Sequence, residues 1–94
     1  MSPKLFSELT NRYGFVVIMY PNDHRPAHVH VYRGEKVARI QFEDSELAIM
    51  DAEGFKVKEL RDIVERLLDY RARLIEIWNE MHPDQHIETG EGDG

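Results

Sequence analysis

No cysteine occurs in the chain, which excludes a disulfide framework and a thiolate metal site and makes a reducing compartment the natural expectation. No apolar run approaches the roughly 20 residues that span a bilayer. Nor does the start of the chain join basic residues, an apolar run and a small-residue cleavage site. A cytoplasmic protein with no membrane partner is therefore expected. Internal repeats, a Walker loop, a dinucleotide fingerprint and a zinc-protease motif are all missing, which removes several common nucleotide-dependent and metalloprotease classes. The composition, 41% hydrophobic and 32% charged over 94 residues, is that of a globular chain rather than a disordered one. At this length one hydrophobic core is sustainable but not two, so residues 1–82 are expected to form a single domain.

Positive charge is also scarce. The net charge of −6 speaks against a nucleic-acid partner, because backbone binding depends on lysine and arginine neutralising phosphates. The acids are unevenly spread, however. Residues 83–94 hold Asp84, Glu88, Glu91 and Asp93 with no lysine or arginine, and residues 43–53 hold Glu43, Asp44, Glu46, Asp51 and Glu53. The remaining 71 residues carry a net +3, so a locally basic surface is compatible with the composition.

Gly14-Phe-Val-Val-Ile-Met-Tyr20 is a nearly unbroken apolar run rich in β-branched and aromatic residues, bounded by Gly14 and by Pro21-Asn22-Asp23. It reads as a buried strand. His28–Arg33 and Lys36–Phe42 follow, separated by Gly34-Glu35, the glycine-first pair suited to a two-residue type II′ hairpin. Placing Arg33 opposite Lys36 pairs Tyr32 with Val37, Val31 with Ala38, His30 with Arg39, Val29 with Ile40 and His28 with Gln41. Alternation along each strand then puts Val29, Val31, Ala38 and Ile40 on one face, the core face, and His28, His30, Tyr32, Arg39 and Gln41 on the other. A slip of one residue would oppose apolar and polar sets, so the pattern itself selects this register.

Leu47–Met50 is a candidate fourth strand, and Asp51-Ala-Glu-Gly54 a turn into one long helix from about Lys56 to Met81, stopped by Pro83. The expected fold is thus α+β: a three- to four-stranded antiparallel sheet built on the hairpin and packed against that helix. The helix's apolar positions cover about half its circumference, wider than the roughly 100° needed to sit on one surface. The stripe Ile63, Tyr70 and Ile77 lies at one margin and is a candidate contact with a partner or a second copy of the chain. Alternatively, Leu5, Phe6, Leu9 and Tyr13 fold over the arc within the same chain. Arg71 falls inside the apolar arc, where an arginine ordinarily carries its head to solvent along a packed stem and less often pairs with a functional anion. Residues 83–94 have little periodicity and read as an acidic disordered tail.

The densest chemistry lies in Asp23-His24-Arg25-Pro26-Ala27-His28-Val29-His30, three imidazoles and a carboxylate within eight residues. Histidine titrates near neutrality, so two held side by side can divide general acid and general base work. His28 and His30, two apart on a strand, share a face with their Cα atoms about 6.5–7 Å apart. A metal held by His24, His28 and His30, with Asp23, is the alternative, since three or four such ligands make a site. Arg39, expected directly across from His30, argues against it, because a fixed cation opposes a dication. The same arginine attracts an anion, so a phosphate-bearing ligand suits His28, His30, Arg39, Tyr32, Gln41 and Arg25 or Arg33. The plain alternative is a set of solvated surface histidines beside a turn.

The order Asn22-Asp23-His24-x-Pro26-x-His28-Val29-His30-Val31, hairpin, Glu46-Leu47, Gly54-Phe55 and a helix carrying Glu59-Leu60-Arg61 and Leu74-x-x-x-Trp78-Asn79-Glu80 resembles a small bacterial family, domain of unknown function 4160. The likeness covers roughly residues 14–81. Ala27 stands where members commonly have proline, a departure expected to leave the loop before His28 less rigid. Members are often encoded beside a second small protein, and some are regarded as toxins of toxin–antitoxin modules. The resemblance thus implies a type II toxin, neutralised by a cognate antitoxin that covers the histidine face or the Ile63–Tyr70–Ile77 stripe. In that reading the chain acts on RNA or another phosphate-containing target as a ribonuclease needing no metal or other cofactor. His28 and His30 would be acid and base, Arg39 the phosphate-binding group, and Asp23 and His24 the orienting residues. A non-catalytic binding or regulatory module is the competing reading.

Overall fold

The computed structural model describes residues 2–88. The chain runs β1 (Lys4–Leu5), α1 (Ser7–Tyr13), β2 (Val16–Met19), β3 (His28–Arg33), β4 (Lys36–Gln41), β5 (Ala48–Glu53), α2 (Val57–Leu68) and α3 (Arg71–Met81), followed by a 3-10 turn over Pro83–Gln85. The five strands form one antiparallel sheet in sequence order. An α+β fold is therefore right, but with five strands and three helices among the described residues in place of the expected three to four strands and single helix.

The central hairpin has the register that its side chains dictate, from His28 opposite Gln41 to Arg33 opposite Lys36. Gly34 takes φ +60°, the left-handed conformation that the first central position of a type II′ turn requires and glycine supplies without strain. Val29, Val31, Ala38 and Ile40, together with Val17 and Met19 of β2, join Ile63, Leu67, Leu74, Ile75, Ile77 and Trp78 in one core. The helices thus cover one face of the sheet in a two-layer arrangement. The other face carries His30, Tyr32, Arg39 and, from β2, Val16 and Ile18, all partly exposed.

β5 extends to Glu53 and absorbs Asp51–Glu53, which the sequence suggested as a turn. Its pairing shifts between Arg39, opposite Asp51, and Ile40, opposite Ile49. One extra residue, Met50, makes a bulge. It lets Asp51 face outward toward Arg39 while Ile49 and Ala52 pair with core-facing residues of β4, which strict alternation over 49–52 would forbid.

The single long helix is in fact two. No proline or glycine lies between Val57 and Met81, so nothing local marks the break. At the junction Tyr70 leaves helical geometry (φ −109°, ψ 7°), and Arg71 turns back to the chain leaving β4. Its Nε donates to the carbonyls of Phe42 and Asp44 at 3.0 and 2.8 Å and its Nη2 to that of Glu43 at 2.9 Å. Arg71 therefore clamps a loop inside the fold rather than only carrying its head to water.

Phe6, just before α1, and Leu9 within it are both buried in the common core, while Leu5 stays half exposed on β1. Gly14 closes α1 in the left-handed conformation, its N–H bonded to the Thr10 carbonyl, as helix C-termini favour. Ile63 and Ile77 are buried in the core and Tyr70 is half-buried. The Ile63–Tyr70–Ile77 stripe is therefore packed by the chain's own residues rather than being a free surface.

Residues 83–88, expected to open the acidic tail, are held against the fold. Ile87 is buried, and Asn79 grips its backbone both ways, Nδ2 donating to the Ile87 carbonyl at 3.0 Å and Oδ1 accepting its N–H at 2.8 Å. Buried backbone groups must find partners, and here side chains of α3 supply them. The rest of the expected tail lies outside the described residues.

Candidate functional site

The loop joining β2 to β3 folds back over the start of β3 on the open face. Its Asp23 Oδ2 accepts the Tyr20 N–H at 3.2 Å, and the Asp23 N–H donates to the Tyr20 carbonyl at 3.2 Å. This reciprocal turn is one that aspartate stabilises. The Arg25–Pro26 peptide bond is cis. Ala27 is buried, donates its N–H to Glu43 Oε1 at 3.0 Å and accepts from the Phe42 N–H at 2.9 Å. Proline at position 27 would lack that N–H, so alanine here exchanges ring rigidity for a hydrogen bond. The loop is held rather than loosened.

Three of the residues singled out by spacing meet at this point. His30 Nε2 lies 3.3 Å from both Asp23 carboxylate oxygens, and His28 Nε2 lies 3.6 Å from Oδ1. Potential ligand atoms of Asp23, His28 and His30 all fall within 4.8 Å of one another. The two imidazole rings are 5.1 Å apart between centroids, as two same-face residues of one strand should be. The side chains are only 6% exposed for His28, 17% for His30 and 13% for Asp23. His28 Nδ1 is 2.8 Å from the Pro26 carbonyl. A carbonyl only accepts, so the neutral His28 ring carries its proton on Nδ1 and leaves the Nε2 lone pair facing Asp23. His30 is packed edge-on against the Tyr20 ring at 4.7 Å.

The neighbouring candidates take other roles. Arg39 does face outward across from His30, but it is paired with Asp51, Nε at 3.0 Å and Nη2 at 2.5 Å from Oδ2. Hydrogen bonds from Arg39 hold the Asp51 carboxyl below its ordinary range. Arg25 pairs with Glu43. That hydrogen bond holds the Glu43 carboxyl low against the opposing effect of burial, with the Ala27 N–H assisting. Tyr32 hydroxyl lies 3.1 Å from that of Tyr20. This hydrogen bond, with burial, pushes the Tyr32 phenol up to about 12. Gln41 is buried and accepts the Glu43 N–H. Arg33 falls on the helix side of the sheet, bonded to the Tyr13 carbonyl and lying over the Phe15 ring, so it does not join the histidine face. His24 is exposed and stands outside the Asp23–His28–His30 group.

Of the residues that hold this site from behind, Trp78 and Asn79 stand out only in the family resemblance, and Gln85 and His82 not at all. Gln85 bridges the loop, its Oε1 accepting the Arg25 N–H at 2.8 Å and its Nε2 donating to the Asp23 carbonyl at 3.0 Å. Trp78 Nε1 donates to the Gln85 carbonyl at 2.8 Å, and the indole stacks on His82 at 3.8 Å and approaches His28 at 6.2 Å. His82, buried, lies 2.9 Å through Nε2 from the Tyr20 carbonyl. A Trp-Asn pair some fifty residues from the histidines thus acts on them by gripping residues 85–87.

The sequence profile of a family described as Domain of unknown function (DUF4160) matches residues 14–79. The chain belongs to that family. No curated protein and no solved structure shows a match to it. The DUF4160 match contains Asp23, His28, His30, Trp78 and Asn79, and it stops short of Gln85, which completes the support of the site in this chain. Among the described residues of this DUF4160 protein no helix is long and apolar enough to cross a membrane.

Proposed function

We propose that the chain is the growth-inhibiting half of a two-protein bacterial toxin–antitoxin module. It works in the cytoplasm on a phosphate-containing target such as RNA, through the Asp23–His28–His30 end of its open sheet face. The observation that carries the chemistry is the meeting of two imidazoles and a carboxylate within 4.8 Å. His28, with Nδ1 tied to Pro26, offers Nε2 as the base, His30 serves as the acid, and Asp23 orients both. Arg39 takes part only by exchanging Asp51 for a phosphate, a bidentate swap its planar fork suits. The toxin assignment follows the resemblance read from the sequence; the family that matches is itself described only as one of unknown function.

The test is expression of the wild-type chain and a His28→Ala/His30→Ala pair from a tightly controlled bacterial promoter, following growth and total RNA integrity. Arrest with RNA fragmentation in the wild type, absent in the soluble pair, is the expected result. Arrest with intact RNA moves the target elsewhere. Unhindered growth at good soluble expression removes the toxin reading.

A second reading, a non-catalytic binding module, is favoured by β5. This strand lies at the sheet edge with all six residues exposed, and Leu47, Ile49, Val57, Leu60 and Val64 line an apolar groove beside it. An unpaired edge beside an apolar groove suits an extended strand of a partner protein added to the sheet. In this reading Ile49→Asp abolishes capture of the cognate partner while the histidine pair variant retains it.

A further inference from the structure

We propose that Asp23, His28 and His30 form a binding site for one divalent first-row transition ion, of the kind zinc represents. Three observations converge on it. The first is spacing: zinc bonds of about 2.0–2.1 Å at tetrahedral angles set ligand atoms about 3.4 Å apart. His30 Nε2 and His28 Nε2 stand 3.3 and 3.6 Å from Asp23 oxygens. The whole trio of potential ligand atoms lies within 4.8 Å.

The second observation is polarity. With its Nδ1–H committed to the Pro26 carbonyl, the neutral His28 ring presents a lone pair to a carboxylate oxygen. An imidazole lone pair beside a carboxylate oxygen, in a group at most 17% exposed, is a place that a bound cation satisfies as a proton does, because a poorly hydrated carboxylate is costly unless compensated. The third is the outer support. A ring nitrogen bonded to a carbonyl, and a carboxylate oriented by a backbone N–H from Tyr20, are what fixes metal-ligating histidines and carboxylates elsewhere. The cation that stood against a metal, Arg39, is neutralised by Asp51. Two imidazole donors beside a single carboxylate favour zinc, iron, cobalt or nickel over magnesium or calcium.

Three protein ligands leave a coordination position for water or a substrate oxygen. The ion acts on the same phosphate-containing target by a different division of labour: with it bound, His28 and His30 are ligands and no longer base and acid, and the ion supplies the free positive charge that a phosphate needs and that paired Arg25 and Arg39 do not offer. Binding of the ion itself does not depend on the toxin reading.

Untagged, chelator-stripped full-length chain titrated with Zn²⁺ by calorimetry tests the site. About one equivalent should bind, with Asp23→Asn and His30→Gln each weakening affinity by at least about tenfold and His24→Ala leaving it unchanged. As a readout needing no variant, zinc should shift the imidazole NMR signals of His28 and His30 and not those of His24 or His82. No binding, equal binding by an Asp23→Asn/His30→Gln double variant, or ring shifts confined to other histidines would overturn the site. The two proposals fail separately: zinc bound by a chain that arrests no growth keeps the metal site and removes the toxin, while histidine-dependent arrest by a chain that binds no zinc does the reverse.

Discussion

Two charged clusters share the open face of the sheet, and they differ in how completely they are satisfied. Arg39 and Asp51 stand largely in water, 42% and 56% exposed, and match donor for acceptor in a two-pronged pair. Asp23, His28 and His30 are far less exposed, and their contacts run to one another and to the loop backbone, with His28 Nε2 no closer than 3.6 Å to an Asp23 oxygen. A cluster that closes on itself in water can be lost at little cost. One that is largely withdrawn from water has to be held by the rest of the fold, and it is there that the proposed site lies.

If that contrast holds, damage to the support should disturb the histidine end and leave Arg39–Asp51 alone. Trp78→Ala should have the largest effect, about 3–5 kcal/mol of lost stability in denaturant unfolding, because the fully buried indole packs the core and bonds Gln85. Gln85→Ala should cost less, about 1–2 kcal/mol for two hydrogen bonds to the loop backbone. In NMR spectra it should move the His28 and His30 signals and not those of Asp51. Equal disturbance of both clusters would mean that the sheet, not the 85–87 segment, positions Asp23.

Tyr20→Phe should act more locally. It removes the hydrogen bond that keeps the Tyr32 phenol at about 12, so tyrosinate absorbance should show Tyr32 titrating nearer the ordinary value of about 10. A raised value in the folded chain means that this contribution to stability is complete below pH about 10 and lost as the pH climbs toward 12. The mutant should lack that loss.

Arg39→Gln should have the smallest effect, a thermal midpoint close to wild type, as exposed ion pairs generally give. Because Arg39 holds the Asp51 carboxyl low, whatever the pair contributes is present above the ordinary carboxylate range and disappears as the pH falls through the lowered value. A large loss at neutral pH would show that the pair anchors β5 and erase the contrast.

The site was legible as a list of residue types and only partly as a constellation. Alternation alone put His28 and His30 together and Arg39 across from His30. It could not show that Asp51 takes up Arg39, since the Met50 bulge that turns Asp51 outward is an event of pairing. α1 had its own local signals, Leu9 and Tyr13 four apart and Gly14 just past the end, and was open to being read as a helix.

By itself the sequence determined the hairpin, its glycine turn, its register and its two faces, because alternation and turn chemistry are local and a slip would bury polar side chains. Tertiary structure alone decided the break between α2 and α3, the capture of Asp23 by the histidines and the anchoring of residues 85–87. At each of these places a side chain of Arg71, Asn79, Trp78 or Gln85 bonds to backbone groups elsewhere in the chain. Backbone carbonyls and N–H groups are the same at nearly every position, so such contacts leave no periodicity or residue pairing to be read before the chain is folded.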